Sequence, residues 1–451
     1  MKVSKPRILF FARGYQTRFY PNLVDDAYEA VFVTLTSAEK RDIEQRGLKV
    51  VACFEEDAAT LDPAAVPDDY LRTSLPADRF LGRFAYRDRI DLLGREIAWW
   101  SGILDTYAPI AVMNELVAIE ISEVLYIEAG KRGIRYLAPM RGVHTPSFYW
   151  IPDPISLSGT HFPPITAGAD AKRQAAEYMA RLVKKDFRPG YVQNLSGRLA
   201  PKPLLAALAK YAFYSLRRPR PYDPARLQYE TRGEVYAKRI EIFLRNLVNR
   251  YDRLEDLPED GEILLYPLHQ EPEAMLNYMS EFHASQVSTI ENILKALGPN
   301  QVLIVKEHPV DKGTLLTKKF LDLRKRHSGL FFFPGEMSGR VLEPRLSRVV
   351  TLTSTVGWEM ANLGKPVYVL GKVYYNDLPG ITRIRDYTQL REQLRTPLAQ
   401  APRLDREAAE TFIAELIERS YPGDPLPFAD LYSPENIERV KHAIRDTLAL
   451  G

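Results

Sequence analysis

Lys306-Glu307-His308-Pro309, entered from the apolar run Val302 to Val305, and Thr353-Ser354-Thr355-Val356-Gly357-Trp358-Glu359, entered from Arg348 to Leu352, decide the fold. Each is a strand signal that runs into a polar loop, and the second continues into a helix. One further strand, Leu330 to Phe333, lies between them, so strands alternate with helices as they do in a parallel sheet. Ligands of open parallel sheets settle in the crevice outside the carboxyl ends of the strands. A cation-bearing loop beside a hydroxyl-rich helix start is an anion site at that place. The expected ligand is a phosphate, carried within a nucleotide sugar.

Working outward, the same alternation fills both halves of the chain. Arg7 to Ala12, Ala30 to Leu35 and Leu48 to Phe54 read as strands, with a helix over Ser37 to Arg46. A long helix around Phe84 to Tyr107, a strand at Ile110 to Met113, a helix at Val117 to Arg132 and a strand at Arg135 to Ala138 follow. The second series starts with a strand over Glu262 to Leu268 and a helix that places Val287, Ile290, Ile293, Leu294 and Leu297 on one face. It ends with a strand at Pro366 to Leu370. The expected division is a Rossmann-like domain over residues 1–183 on the acceptor side and a basic helical connector over 184–260. A nucleotide-sugar-binding Rossmann-like domain over 261–400 and helices over 401–451 that pack back across both complete it.

Length and composition agree with two domains. The chain has 451 residues, 45% hydrophobic and 26% charged, which is the balance of a globular protein. Its one cysteine, Cys53, lies in an apolar stretch, so an internal disulfide and a thiolate zinc site are excluded and a reducing, cytoplasmic compartment is expected. Met1 to Pro6 has basic residues without a long apolar stretch after them, and no run of eighteen apolar residues occurs, so neither a signal peptide nor a membrane span is expected. The net charge of +3 is uneven: Lys184 to Arg253 holds sixteen Lys or Arg against six Asp or Glu. That segment includes an apolar and aromatic helix candidate, Pro201 to Arg218, ending in cations. Two readings stand for it, an anionic membrane surface as partner and a solvated connector between domains. Nucleic acid is not an expected partner, because no aromatic-interleaved binding motif appears and the overall charge is small.

The run from Leu264 to Gly371 resembles the bacterial capsule-polysaccharide biosynthesis glycosyltransferases, the group that includes the retaining β-Kdo transferases. Four stretches carry the likeness: Pro267-Leu268-His269-Gln270-Glu271-Pro272-Glu273, Val305 to Pro309, Thr353 to Glu359, and Gly364-Lys365-Pro366-Val367. The resemblance covers about a quarter of the chain, and the N-terminal half matches in its αβ pattern alone. It implies an α/β fold of the GT-B type, two Rossmann-like domains whose parallel sheets face a central cleft, and a CMP-activated sugar. It also implies an acidic nucleophile near Pro267-Leu268, where Glu273 falls on the family's Asp and His269 on its Gln. Those two departures put the covalent route in question, since Glu carries its carboxylate one methylene further.

The chemistry of each residue can be stated beside its plainer role. His308, held by the fixed φ of Pro309, can donate a hydrogen bond to a phosphate that gains charge as a sugar departs. Lys306 reads as a phosphate contact or as a solvated strand-end cation. Ser354 and Thr355 read as helix caps and as phosphate contacts, two roles that are compatible. Glu359, one turn further on, reads as an acceptor of ribose hydroxyl hydrogen bonds or as a surface carboxylate. Glu273, with Glu271 as competitor, is the candidate nucleophile; the plain alternative is a charge at a helix N-terminus. Glu115, after the strand Ile110 to Met113, is the candidate base for the acceptor hydroxyl. Arg13, Arg141 and His144 stand at strand ends where a sugar carboxylate could be bound. Glu259-Asp260-Gly261 is a turn before the second domain's first strand.

Absences narrow the class. There is no Asp-x-Asp, so the usual carboxylate pair for a metal-bound sugar diphosphate is missing and neither metal nor other cofactor is expected. Dinucleotide, P-loop and nucleophile-elbow signatures are absent as well. The expectation is therefore a cytoplasmic, metal-independent transferase that moves a ulosonic acid such as Kdo, or a sialic-like or pseudaminic-type nonulosonic acid, from CMP to a glycan or glycolipid acceptor. Alternatives are a GT-B transferase using a UDP- or GDP-hexose and a non-catalytic scaffold of capsule assembly.

Overall fold

The computed structural model describes residues 5–73, 84–144, 146–157, 162–184, 251–271, 273–309 and 311–450, with positions 206, 208–210, 212–213, 237, 240–241 and 244–245 between them. Most of the basic segment 184–253, and with it most of the expected connector, lies outside the described residues.

The first sheet is parallel and built from β1 (Arg7–Ala12), β2 (Glu29–Thr34), β3 (Val50–Cys53), β4 (Ala111–Met113) and β5 (Arg135–Leu137), in the order β3-β2-β1-β4-β5. β1 lies in the middle, and five successive residues, Ile8 to Ala12, are fully buried. A strand covered on both faces needs such a continuous apolar run. Two short strands, β6 (Pro139–Arg141) and β7 (Ser147–Trp150), leave this sheet as an antiparallel pair.

The second sheet is also parallel: β8 (Glu262–Pro267), β9 (Gln301–Lys306), β10 (Leu330–Phe333), β11 (Arg348–Thr351), β12 (Val367–Val369) and β13 (Ile381–Arg383), ordered β10-β9-β8-β11-β12-β13. Both orders are those of a doubly wound Rossmann-like sheet, with the winding reversing between β1 and β4 in the first and between β8 and β11 in the second. The loops beyond these two reversals meet, since Val117 after β4 packs with Ile155 and with Tyr278 after β8. The carboxyl edges of the sheets thus face each other across a cleft, which is the GT-B architecture.

The chain crosses between the two halves. The helix Ala169–Leu182 buries Ala171, Ala175 and Met179 against Ala409, Ile413 and Leu416 of the helix Arg406–Glu418, in the same core as Ile263, Leu265 and Val349 of the second sheet. The last helix, Pro434–Thr447, sets Val440, Ala443 and Ile444 against Ile8 and Phe10 of the first sheet. Between these helices β14 (Tyr421–Pro422) pairs with β7, a strand inside a tail expected to be helical throughout. The sequence gives no sign of it, because two residues carry no periodicity. The described residues contain no helix long and apolar enough to cross a membrane.

Candidate functional site

At the reversal of the second sheet, His269 follows β8 and reaches sideways to β11. Its Nε2 accepts the backbone N–H of Thr353 at 3.3 Å, and the Thr353 hydroxyl lies 3.4 Å from the same nitrogen. With Nε2 accepting, the ring proton of the neutral imidazole sits on Nδ1, which is 3.7 Å from Glu273 Oε2. The backbone of His269 is held by both ends of the Gln286 amide, at 2.7 and 2.9 Å. Gln286 stands at the start of the helix Gln286–Ala296, so strand end, loop and helix are locked together.

The two carboxylates of this loop separate clearly. Glu271 is tied to Lys319 at 2.7 Å and accepts the backbone N–H of Gln286 at 3.3 Å. Glu273 Oε2 is buried and accepts no hydrogen bond. Structural work is thus assigned to Glu271, and Glu273 keeps a carboxylate oxygen unspent.

Lys306 closes β9 with only 6% of its surface exposed, which removes the solvated-cation reading. Its Nζ donates to the carbonyls of Glu307 (3.1 Å) and Gly335 (3.2 Å) and makes no ion pair among the described residues. Burial lowers its pKa to about 8, against the pull of Glu307, Glu359 and Glu336. Glu307 turns away from the cleft and accepts from the Tyr251 hydroxyl and the Leu315 amide. His308 faces Glu273, His269 and Lys306; burial holds its imidazole below the usual range, opposed by the Glu273 carboxylate. The turn at His308 and Pro309 is packed on Gly335, where a Cβ would stand 2.6 Å from the His308 carbonyl oxygen. Only glycine admits that approach.

Opposite lies the helix Thr355–Asn362. Ser354 is its cap, accepting from the Val356 amide at 3.2 Å, and Thr355 is its first residue. The Ser354 carbonyl in turn accepts from the Tyr375 hydroxyl at 2.6 Å. Glu359 is 8% exposed, so the surface-carboxylate reading fails. Burial raises its pKa to about 7, and Arg340 and Lys306 act against that rise. His269, Glu273, Lys306 and His308 are thereby gathered at the ends of β8 and β9, with Ser354, Thr355 and Glu359 across from them on the β11 side.

The first sheet contributes its own reversal. Arg13, after β1, is buried; Glu115, two residues after β4, is partly exposed. Tyr20 and Tyr136 are each under the opposed fields of the Arg13 guanidinium and the Glu115 carboxylate, with burial the larger influence on both hydroxyls. Asn114 donates to the Tyr136 hydroxyl at 2.9 Å. The Tyr15 hydroxyl lies against Glu115 and donates to the Pro425 carbonyl at 3.3 Å. Arg141 is spent on the buried Asp424 at 2.6 Å, and His144 accepts from Arg181 at 3.2 Å and packs on Tyr178.

Sequence reading quoted Thr353 in its motif without giving it a role, and it missed Gln286, Tyr375 and the group Tyr15, Tyr20, Asn114 and Tyr136. Asn114 adjoins Glu115 at a recognised strand end and was within reach of that signal; the tyrosines were not. Among the described residues no three His, Cys, Asp or Glu side chains converge in a manner that would hold a metal ion.

Residues 208–415 match the family model described as capsule polysaccharide biosynthesis protein, and the family resemblance carried by the motifs is borne out. Among solved structures, the chain is similar to the β-Kdo 2,7 transferase of Thermosulfurimonas dismutans KpsC, at 12% identity and a TM-score of 0.38 over 98% of this chain and 100% of that one. The β-Kdo 2,4 transferase of the same KpsC matches at 15% identity and a TM-score of 0.31 over 70% and 82%. An S. aureus MnaA–UDP co-structure matches at 11% identity and a TM-score of 0.27 over 100% and 98%. No curated protein matches the chain.

Proposed function

We propose that this chain is a glycosyltransferase of capsule polysaccharide biosynthesis that moves a ulosonic acid, Kdo or a sialic-like nonulosonic acid, from its CMP donor to a bacterial surface glycan, with retention and without a metal. The observation that carries the reading is the buried, ion-pair-free Lys306 beside His308, facing the capped helix start at Ser354 and flanked by the unspent carboxylate of Glu273. A buried ammonium without a counter-ion is costly, and a phosphate in the crevice would supply one.

In this mechanism Glu273 attacks the anomeric carbon as the bond to the CMP phosphate breaks, and CMP leaves with the bonding electron pair. His308 donates a hydrogen bond to the departing phosphate, Lys306 stabilises its charge, and the positive end of the helix Thr355–Asn362 adds to both. Glu359 accepts from the ribose hydroxyls. The acceptor hydroxyl then attacks the glycosyl ester from the opposite face, Glu115 takes its proton, and the Glu273 carboxylate is regenerated. The His269 ring, fixed by Thr353, holds its Nδ1 3.7 Å from the Glu273 carboxylate.

Calorimetric titration with CMP, UMP, UDP and GDP tests the donor. Preference for CMP is expected; preference for UDP or GDP would indicate a hexose transferase, and binding of none of them a scaffold. The proposed place of action is the inner face of the cytoplasmic membrane, reached through the basic segment Lys184 to Arg253. Co-sedimentation with anionic vesicles that weakens when Arg217, Arg218 and Arg220 become Gln is the expected sign, at roughly 1 kcal/mol per cation in low salt.

A further inference from the structure

Two arginines are buried among the described residues, Arg13 and Arg348. Their surroundings differ in kind. Arg348 is bound to Glu262 at 2.7 Å, to the Tyr368 hydroxyl at 2.7 Å and to the carbonyls of Gln393 and Thr396. Arg13 is 9% exposed, its Nε is buried without a hydrogen-bond partner, and its guanidinium lies over the Phe11 ring, 5.4 Å from the centroid. Buried cations are ordinarily paired, because an unpaired one gives up its hydration for nothing. Two further polar atoms are buried without partners at the same strand ends, Gln16 Nε2 and Asn114 Oδ1. Glu115 forms no ion pair with Arg13, although both charges act on the hydroxyls of Tyr20 and Tyr136.

We infer that the carboxyl edge of the first sheet is a subsite for a sugar carboxylate, bound by Arg13, with a hydroxyl of the same or the neighbouring sugar directed to Glu115. The ligand class is a carboxylated sugar, since the planar guanidinium matches a carboxylate and the surrounding tyrosine and amide groups match hydroxyls. The anion requirement stands on the burial of Arg13 alone, while the sugar rests on the transferase reading. The carboxylate could belong to an acidic acceptor residue or to the transferred sugar, and kinetics separates these sources.

Saturation-transfer NMR of the full chain with methyl β-glucuronide and methyl β-glucoside as probes is the direct test. The glucuronide should bind and the glucoside should not, and Arg13→Gln should weaken glucuronide binding at least tenfold without lowering the melting temperature, because the cation removed loses a ring contact but no ion pair. A second variant, Arg13→Lys, keeps the cation without the planar fork; it should fold as the parent does and retain part of the glucuronide binding. Equal binding of the two probes, undiminished binding in Arg13→Gln, or a lower melting temperature in that variant would overturn the inference. In the transfer assay, a raised KM for the acceptor assigns the carboxylate to the acceptor and a raised KM for the donor assigns it to the donor sugar; unchanged KM for both removes Arg13 from substrate recognition. Failure to bind CMP by calorimetry would reject the transferase reading and leave the glucuronide result to stand by itself.

Discussion

His269 and Thr353 join the two strands between which the second sheet reverses its winding: the imidazole Nε2 accepts the Thr353 amide at 3.3 Å across the gap from β8 to β11. One contact therefore sets the distance between the loop that bears Glu273 and the helix start at Ser354. His269→Ala would leave a buried N–H unsatisfied, costing roughly 1–3 kcal/mol in urea unfolding. Transfer should fall with it. His269→Gln, whose amide oxygen can accept the same N–H, should recover part of the stability; equal losses in both variants would mean that the Thr353 contact carries no weight.

The helix start has a second support. A Cβ on Gly357 would collide with the Tyr375 hydroxyl and come within 2.8 Å of Thr351 Cγ2. Gly357→Ala should therefore displace Tyr375 from the Ser354 carbonyl and destabilise by about 1–3 kcal/mol, the usual range for overpacking. Tyr375→Phe removes the colliding oxygen and one hydrogen bond, at about 1 kcal/mol. The double variant should cost less than the sum of the two, and strict additivity in a double-mutant cycle would contradict this coupling.

Glu359 makes stability depend on pH. Its pKa is raised from the ordinary carboxylate value to about 7 by burial, so the folded state holds a proton that the unfolded chain releases. Its contribution is fully present below the ordinary value near 4.5 and is lost as pH rises through about 7. Glu359→Gln should remove this loss, leaving the variant more stable than the parent at pH 8 by up to about 3 kcal/mol and nearly equal to it at pH 4. Parallel stability curves from pH 4 to 8 would show that Glu359 titrates normally. Lys306 acts in the opposite direction and higher: its lowered pKa of about 8 makes stability fall as pH drops from 10.5 through 8.

Strands that are continuous apolar runs bounded by polar loops were legible; β1, in the middle of the first sheet, and β10, at the edge of the second, occupy the residues read from sequence, Arg7–Ala12 and Leu330–Phe333. The three-stranded sheet β14-β7-β6 was not legible. It joins residues nearly three hundred positions apart through strands of two to four residues, too short for any period to register. At the site, the motifs located Lys306, His308, Ser354 and Glu359, but sequence left the burial of Lys306 and Glu359 open. That burial comes from neighbours contributed by distant segments, Gly335 beside Lys306 and Arg340 near Glu359. The group around Arg13 is scattered over more than a hundred residues as Tyr15, Tyr20, Asn114 and Tyr136, with no spacing to mark it.

The phosphate contact and the metal expectation can be tested on one preparation. His308→Ala should weaken CMP binding or slow transfer by roughly 1.5–3 kcal/mol, the range for a hydrogen bond to a charged group. Unchanged affinity and turnover in a folded variant would remove His308 from the mechanism. Excess EDTA should leave the parent's transfer rate nearly intact, because the chain offers no Asp-x-Asp pair to hold a metal on a sugar phosphate. Loss of activity that magnesium restores would reject that expectation.

Glu273 decides between a covalent and a non-covalent route. Its Oε2 accepts no hydrogen bond, lies 3.7 Å from His269 Nδ1 and shares the crevice with His308, whereas Glu271 is bound to Lys319 and Gln286. Glu273→Gln preserves volume and should preserve CMP affinity, but it should lose nearly all transfer, since an amide cannot form and release a glycosyl ester. Glu271→Gln should instead lower stability, by up to about 1 kcal/mol for a partly exposed ion pair, and leave most of the transfer rate. Intact-mass measurement of the parent mixed with donor alone should reveal a sugar adduct that maps to the peptide holding Glu273. An adduct on another residue would move the nucleophile there, and a fully active Glu273→Gln protein would reject double displacement through this carboxylate.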